Sequence, residues 1–279
     1  MKLDNYQLLL CTNGYEATRP ALDYGIWLAE LLGVPALVLG IVEHQESEGE
    51  VGRMLEETQA RLKELGLSCQ VQLDRGRGSL VIARHAQEDN YLTVVGPLGR
   101  PVWRRYLQGR SFRRMLSRIE TPIIYVQETR MPLRRILLCM GGLGYAQSVA
   151  QLCIDLARLV LAEITVFHVV EPMTLEYPLA KTVQEHLNDI LNTDTPQGRN
   201  LRQAMRDIET AGVKAELRVQ HGNPVHEILE EAERGGYDMI GLGSPYSAHS
   251  LRQMYMPNVT AEVAEAVGIP VLTVRLGTS

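Results

Sequence analysis

Leu92-Thr93-Val94-Val95-Gly96-Pro97-Leu98-Gly99 passes from an apolar, β-prone run into a glycine-spaced segment that continues to Gly109-Arg110-Ser111. Four residues of strand character followed directly by glycine predict a buried strand that ends in a loop. The spacing of Leu116 and Ile119 predicts a helix after that loop, with its first amides turned toward the glycines. Glycine lets backbone come close to a ligand, and a strand, a glycine loop and a helix start together can cradle a phosphate. The plainer alternative is that Gly96 and Gly99 only serve a turn.

Upstream of this stretch the chain alternates in period. Tyr6 to Cys11 is an apolar run closed by Thr12-Asn13-Gly14, which predicts a strand and a turn. Ala17 to Leu32 carries Leu22, Ile26, Ala29 and Leu32 at helical spacing and stops at Gly33, with Trp27 near the core side. Ala36 to Val42 predicts a buried strand, and Val51 to Leu65, closed by Gly66, a helix. Cys69 to Leu73 follows as strand, Ser79 to Glu88 as helix and Leu92 to Val95 as strand. After the loop and its helix, Ile123-Ile124-Tyr125-Val126 completes the set. Strands alternating with helices in this way predict an α/β fold, a parallel sheet covered on both faces by right-handed crossovers. Such sheets bind ligands beyond the carboxyl ends of their strands, where Asn13-Gly14, Ile41 and the Gly96 loop all fall.

The chain then begins again. Arg135-Ile136-Leu137-Leu138-Cys139-Met140-Gly141-Gly142 repeats the shape of Gln7-Leu8-Leu9-Leu10-Cys11-Thr12-Asn13-Gly14. Ile269-Pro270-Val271-Leu272-Thr273-Val274 matches Thr121-Pro122-Ile123-Ile124-Tyr125-Val126, and Asp238 to Gly243 matches Tyr91 to Gly96. Asn223, a good cap, precedes Pro224 at a first helical position in the second half. The boundary is expected between Gln127 and Leu133, around Pro132, giving domains 1–130 and 131–279.

Together these motifs resemble tandem members of the universal stress protein family, and the resemblance covers nearly the whole chain. It implies two doubly wound five-stranded parallel domains of strand order 3-2-1-4-5, paired through their fifth strands. Ile123 to Val126 and Val271 to Arg275 would be the paired edges of a pseudo-dimer within one chain. The resemblance also implies an adenine nucleotide, ATP, with Mg accompanying it. Asn13 stands where the family has an aspartate, Ile41 where backbone meets the nucleoside, and Gly96, Gly99 and Gly109 where a glycine loop holds phosphates. Arg110 takes the place of a family hydroxyl, and Ser111 comes one residue late. Asn13 keeps hydrogen-bonding capacity without the acid's charge, and Arg110 either meets a phosphate bidentately or fills its space.

In the second half Gly243 is kept, Gly141 stands at the aspartate position, Tyr246 at the second glycine, and Pro257-Asn258 replaces the Gly-Ser pair. A side chain and a missing amide both obstruct a backbone cradle, so this copy reads as degenerate and architectural. Arg100, Arg104, Arg105, Arg110, Arg113, Arg114 and Arg118 crowd the loop and its helix without an acid among them, with Trp103 and Tyr106 as stacking faces and Trp103 and Leu107 expected to pack inward. They either raise the potential for an anionic ligand or partner, or form a solvated face paired with acids from elsewhere.

Composition sets the remaining limits. The 279 residues are 45% hydrophobic and 22% charged with a net charge of -5, which fits a globular protein of two domains and argues against a general nucleic-acid binder. No apolar run approaches the roughly 20 residues of a membrane span, and Met1 to Tyr6 lacks a signal sequence, so the expectation is a cytoplasmic protein with no membrane partner. Cys11, Cys69, Cys139 and Cys153 lie far apart and read as small hydrophobes. His168 falls at a strand end in a structural role. The histidines show no metal-ligand spacing, Glu43 and Glu46 to Glu50 read as a solvated loop, and neither a nucleophile elbow nor a P-loop lysine is present. A non-enzymatic regulatory binder is therefore expected, with slow ATP hydrolysis ranked last and a nucleotide-free scaffold, contacting a protein partner or forming a homodimer, as the alternative. Residues 172 to 199 form a longer insert with Leu179, Val183, Leu187, Ile190 and Leu191 at helical spacing.

Overall fold

The computed structural model describes residues 3–43, 47–98, 111–141, 146–170, 194–244 and 259–275. The strands are β1 (Gln7–Thr12), β2 (Ala36–Val42), β3 (Cys69–Arg75), β4 (Tyr91–Val95), β5 (Ile123–Tyr125), β6 (Arg135–Cys139), β7 (Glu163–Val170), β8 (Ala215–His221), β9 (Met239–Ser244) and β10 (Val271–Arg275). They form one ten-stranded sheet in the order β3-β2-β1-β4-β5-β10-β9-β6-β7-β8. Each half of the chain thus has the order 3-2-1-4-5 with parallel pairing throughout. The halves join where β5 meets β10 antiparallel, Tyr125 opposite Val271 and Ile123 opposite Thr273. That pairing covers two edges that would otherwise expose unpaired amides.

The described helices are α1 (Arg19–Leu32), α2 (Glu48–Glu64), α3 (Gly78–His85), α4 (Ser111–Leu116), α5 (Ala146–Val160), α6 (Pro196–Thr210), α7 (Pro224–Gly235) and α8 (Val259–Ala266). Their ends carry the expected chemistry. Gly33 closes α1 in the left-handed region, its N–H reaching Ala29 O, and Pro20 sits in the first turn. Thr195 caps α6 by accepting from Gly198 N, and Asn223 caps α7 by accepting from His226 N. In α2, Glu48 and Glu50 occupy the first turn and Arg61 and Lys63 the last, matching the helix dipole at both ends.

Alternate strand residues feed two apolar layers. Leu8, Leu10, Val38, Leu92, Val94, Ile124, Ile136, Leu138, Val166 and Leu272 lie in a layer with α1, α2, α5 and α6. Leu9, Cys11, Leu39, Val95, Ile123, Leu137, Phe167, Ile240 and Val271 lie in the other, with α3, α4, α7 and α8. Both layers run through both halves without a break. Polar ties add to the seam: Gln127 Nε2 donates to Ala264 O at 2.7 Å and Val267 O at 2.8 Å, and Arg275 Nη1 donates to Ser117 O at 2.7 Å.

Several boundaries differ from the sequence reading. Glu16–Thr18 is a single 3-10 turn, and the α-helix starts at Arg19 rather than Ala17. The second helix begins at Glu48, ahead of its first buried residue Val51, because its acidic first turn is exposed and carries no hydrophobic signal. β3 runs on to Arg75, where Asp74 and Arg75 pair with Ile41 and Val42 through backbone that side-chain pattern does not report. Cys11, Cys139 and Cys153 are buried free thiols, their pKa values pushed up by burial, and they behave as core hydrophobes.

Candidate functional site at the carboxyl ends of the first-half strands

β1 ends at Thr12, and the next turn is fixed by hydroxyls. Thr18 Oγ1 donates to Tyr15 O at 2.8 Å and lies 2.7 Å from Thr12 Oγ1, which also accepts Gly14 N–H at 3.2 Å. Gly14 sits at φ 81, where a Cβ would meet Val51 N at 2.9 Å, so both its conformation and the approach of α2 require glycine. Held between these anchors, Asn13 is 1% exposed, and neither its Nδ2 nor its Oδ1 has a hydrogen-bond partner among the described residues. Buried amide atoms are rarely left this way, since each carries an uncompensated desolvation cost.

Ile41 lies beside it, inside β2 rather than after it. β1 pairs with β2 only as far as Thr12 opposite Gly40, so Ile41 stands one position past that ladder while still paired to Asp74 on β3. Its side chain is fully buried in the core, which leaves only its backbone to meet a ligand. Gly96 follows β4 directly, and Val126 N–H donates to Val95 O at 2.9 Å to close that corner. A Cβ at Gly96 would lie 3.1 Å from Ala17 O, 3.2 Å from Thr18 Cα and 3.2 Å from Val126 O. Backbone on three sides therefore favours glycine there on packing grounds alone. Ser111 opens α4. Gly99, Arg100, Gly109 and Arg110 lie outside the described residues, as do Trp103, Tyr106, Leu107, Tyr246, Pro257 and the helical apolar positions of the 172–199 insert.

Sequence reasoning missed Glu43. Instead of joining a solvated loop, it reaches from the end of β2 to α3, where Oε1 accepts Gly78 N–H at 2.6 Å. Arg77 precedes α3 without a side-chain cap, so Glu43 supplies the missing acceptor and a charge that suits the helix dipole. Leu98 Cδ1 approaches within 3.0 Å of a Cβ at Gly78, which brings the glycine loop's start against the same helix end. The only sequence signal was an acid just after a strand. Its partner stands 35 residues further along the chain, too far for any local pattern. Glu48 and Glu50 are likewise helical.

Among the arginines, Arg113, Arg114 and Arg118 are exposed on or just after α4. Arg113 opposes the upward shift of Glu265 on α8, whose pKa burial and the neighbouring Glu262 raise to about 7. In the second half His168 is buried, and its Nδ1–H donates to Met140 O at 2.7 Å, tying the ends of β6 and β7 together. Burial lowers its pKa, so the neutral ring suits this structural role. Among the described residues no group of His, Cys, Asp or Glu is placed to hold a metal ion, and no helix is long and apolar enough to cross a membrane.

A doubled, fifth-strand-paired α/β sheet with its turn residues at the carboxyl rim defines a class, and residues 132–275 match the profile of the universal stress protein family. The chain belongs to that family. The match falls on the second half of the chain. Universal stress protein YxiE of Bacillus subtilis is 29% identical over 146 residues, covering 50% of this chain and 98% of the relative. A universal stress protein of Synechocystis is 23% identical over 308 aligned positions, covering 96% of this chain and 99% of its own length. The crystal structure of a universal stress protein from Archaeoglobus fulgidus superimposes with a TM-score of 0.70 at 16% identity, covering 98% of this chain and 97% of that one.

Proposed function

We propose that this chain is a cytoplasmic, non-enzymatic stress-response module that binds an adenine nucleotide, ATP with its Mg, in the first half as a regulatory ligand, while the second half is architectural. The observation that carries this reading is Asn13, whose two amide atoms are buried without partners among the described residues at the end of β1. A nucleoside's hydroxyls offer both a donor and an acceptor to such a group. Because both atoms are covered, a ligand reaches them only if the rim opens, so binding is coupled to a local opening. In this reading the backbone of Ile41 would meet the base, and Gly99, Gly109, Arg110 and Ser111 are the candidates for the phosphates. With a dissociation constant near 10 μM, 1 mM ATP would stabilise the fold by about 2.7 kcal/mol and move its melting temperature by several degrees. Arg110→Ser gives the sign of that residue's role: tighter binding means it blocks the phosphate site, weaker binding that it contacts phosphate. Phosphate release from ATP should stay at background.

The second reading, a nucleotide-free scaffold, is favoured by Gly96, since backbone contacts on three sides account for that glycine without a phosphate. No thermal shift with ATP, ADP or AMP, in wild type and Arg110→Ser alike, would select it and remove the first.

A further inference from the structure

We propose that β3 is a docking edge through which two copies of this chain pair, antiparallel and about a twofold axis at Gln72. β3 and β8 are the two ends of the ten-stranded sheet, and they are equivalent strands of the repeat. Ala36 pairs with Cys69 as Ile164 pairs with Ala215, which makes Val71 and Leu73 the counterparts of Leu217 and Val219. Leu217 and Val219 are partly buried against the core. Val71 and Leu73 are 39% and 42% exposed. β8 is also defended by charge, with Arg218 held 2.8 Å from both Glu216 and Glu231. β3 carries its charges only at its carboxyl end, where Arg75 pairs with Glu48 at 2.7 Å and Asp74 with Arg84; Cys69 to Leu73 contains no charge and no proline, and the register to β2 is unbroken over all 7 residues.

The free backbone groups fix the pairing. Ala36 N–H donates to Ser68 O at 3.0 Å, and Gly76 N–H donates to Val42 O at 3.1 Å. In a parallel ladder the direction alternates, so the even-numbered residues of this strand serve β2, while Cys69, Val71, Leu73 and Arg75 turn N–H and C=O outward. Centred on Gln72, an antiparallel copy sets Cys69 opposite the second copy's Arg75 and Val71 opposite its Leu73. Every outward group then meets an outward group, making about eight hydrogen bonds. A slip of one residue sets outward groups against inward ones, and a slip of two leaves strand ends unpaired. The same register places the two exposed apolar side chains against each other and Gln70 opposite Asp74, a donor facing an acceptor. A ladder of this length buries less than the roughly 1,200 Å² of a standard interface, so the pairing is weak, in the micromolar range. A second copy is the occupant because the strand complements itself in this register.

Sedimentation of the full chain from about 1 to 500 μM should show a monomer–dimer equilibrium. The double substitution Val71→Lys, Leu73→Lys should weaken it at least about tenfold, as like charges directly opposite repel. Gln220→Lys, on exposed β8, should leave it unchanged. Gln72→Cys in a Cys69→Ser background should cross-link with a short bismaleimide, and Gln220→Cys in the same background should not. A chain monomeric throughout the range, a dimer indifferent to the lysine pair, or cross-linking at 220 in preference to 72 would overturn the proposal. Circular dichroism checks the fold of each variant, and the cross-linking result decides if the lysine pair unfolds.

Discussion

Replacing Asn13 with leucine should make the ligand-free protein more stable, although the residue is fully inside. Asn13 is 1% exposed with both amide atoms unpartnered among the described residues. Each such atom costs about 1 to 3 kcal/mol relative to a satisfied one. Leucine has the same branching and removes both atoms, at the expense of about 1 to 3 kcal/mol for its larger volume in a packed site. The balance is a gain of about 2 kcal/mol, or roughly 4 to 8 °C in melting temperature for a protein of this size. The same change deletes the donor and acceptor offered to a nucleoside, so the ATP-dependent shift should vanish. Thermal melts of wild type and Asn13→Leu, each with and without 1 mM ATP, read both effects. A variant that melts below wild type without ligand would show that Asn13 is already satisfied in the free protein, and the inference from its isolation would fail.

Gly96→Ala should destabilise the ligand-free protein by about 1 to 3 kcal/mol, because the added methyl faces backbone at Ala17, Thr18 and Val126 that has no rotamer to yield; a denaturant midpoint equal to wild type would contradict the packing reading. Glu265 should give the fold a pH dependence in the window between its ordinary value of 4.5 and its folded value of about 7. There the folded state holds the proton more tightly than the unfolded chain, so stability falls as pH rises through the window and levels off above it. Glu265→Gln should flatten that slope and gain on the order of 1 kcal/mol at pH 8 after allowance for solvent screening; parallel pH profiles for the two proteins would exclude the assignment.

Most of the fold was legible because its signals are local. Continuous apolar runs such as Leu8 to Cys11 belong to strands buried on both faces, and Gly33, Asn223 and Pro224 mark helix ends by their own backbone chemistry. The family resemblance carried by the repeat then implied the join at β5 and β10. What escaped was set by distant partners or by polarity. Glu43 gains its role only from Gly78, and the ends of β3 and the start of α2 are polar, so periodicity could not see them. Gly96 stands where a Cβ would come within 3.2 Å of backbone at Ala17, Thr18 and Val126, a crowding that the local sequence does not show. Asn13 stands out in the sequence by its place at the end of the first strand and at the family's aspartate position, but its isolation depends on what surrounds it in three dimensions.

The antiparallel meeting of β5 and β10 has a directional consequence. Because each half keeps its own strands parallel, reversing one half at the seam sends the two carboxyl rims to opposite borders of the sheet. The rim bearing Asn13 therefore shares its border with the amino ends of the second half's strands, and the rim bearing Met140 and His168 faces the other way. A molecule held at one rim cannot touch one held at the other, and any influence between them must cross the shared layers. Covalent linkage also replaces a bimolecular encounter with a high effective concentration of one half for the other. The pairing no longer has to be re-established from solution, so one rim can change its residues freely while the sheet stays closed at its centre.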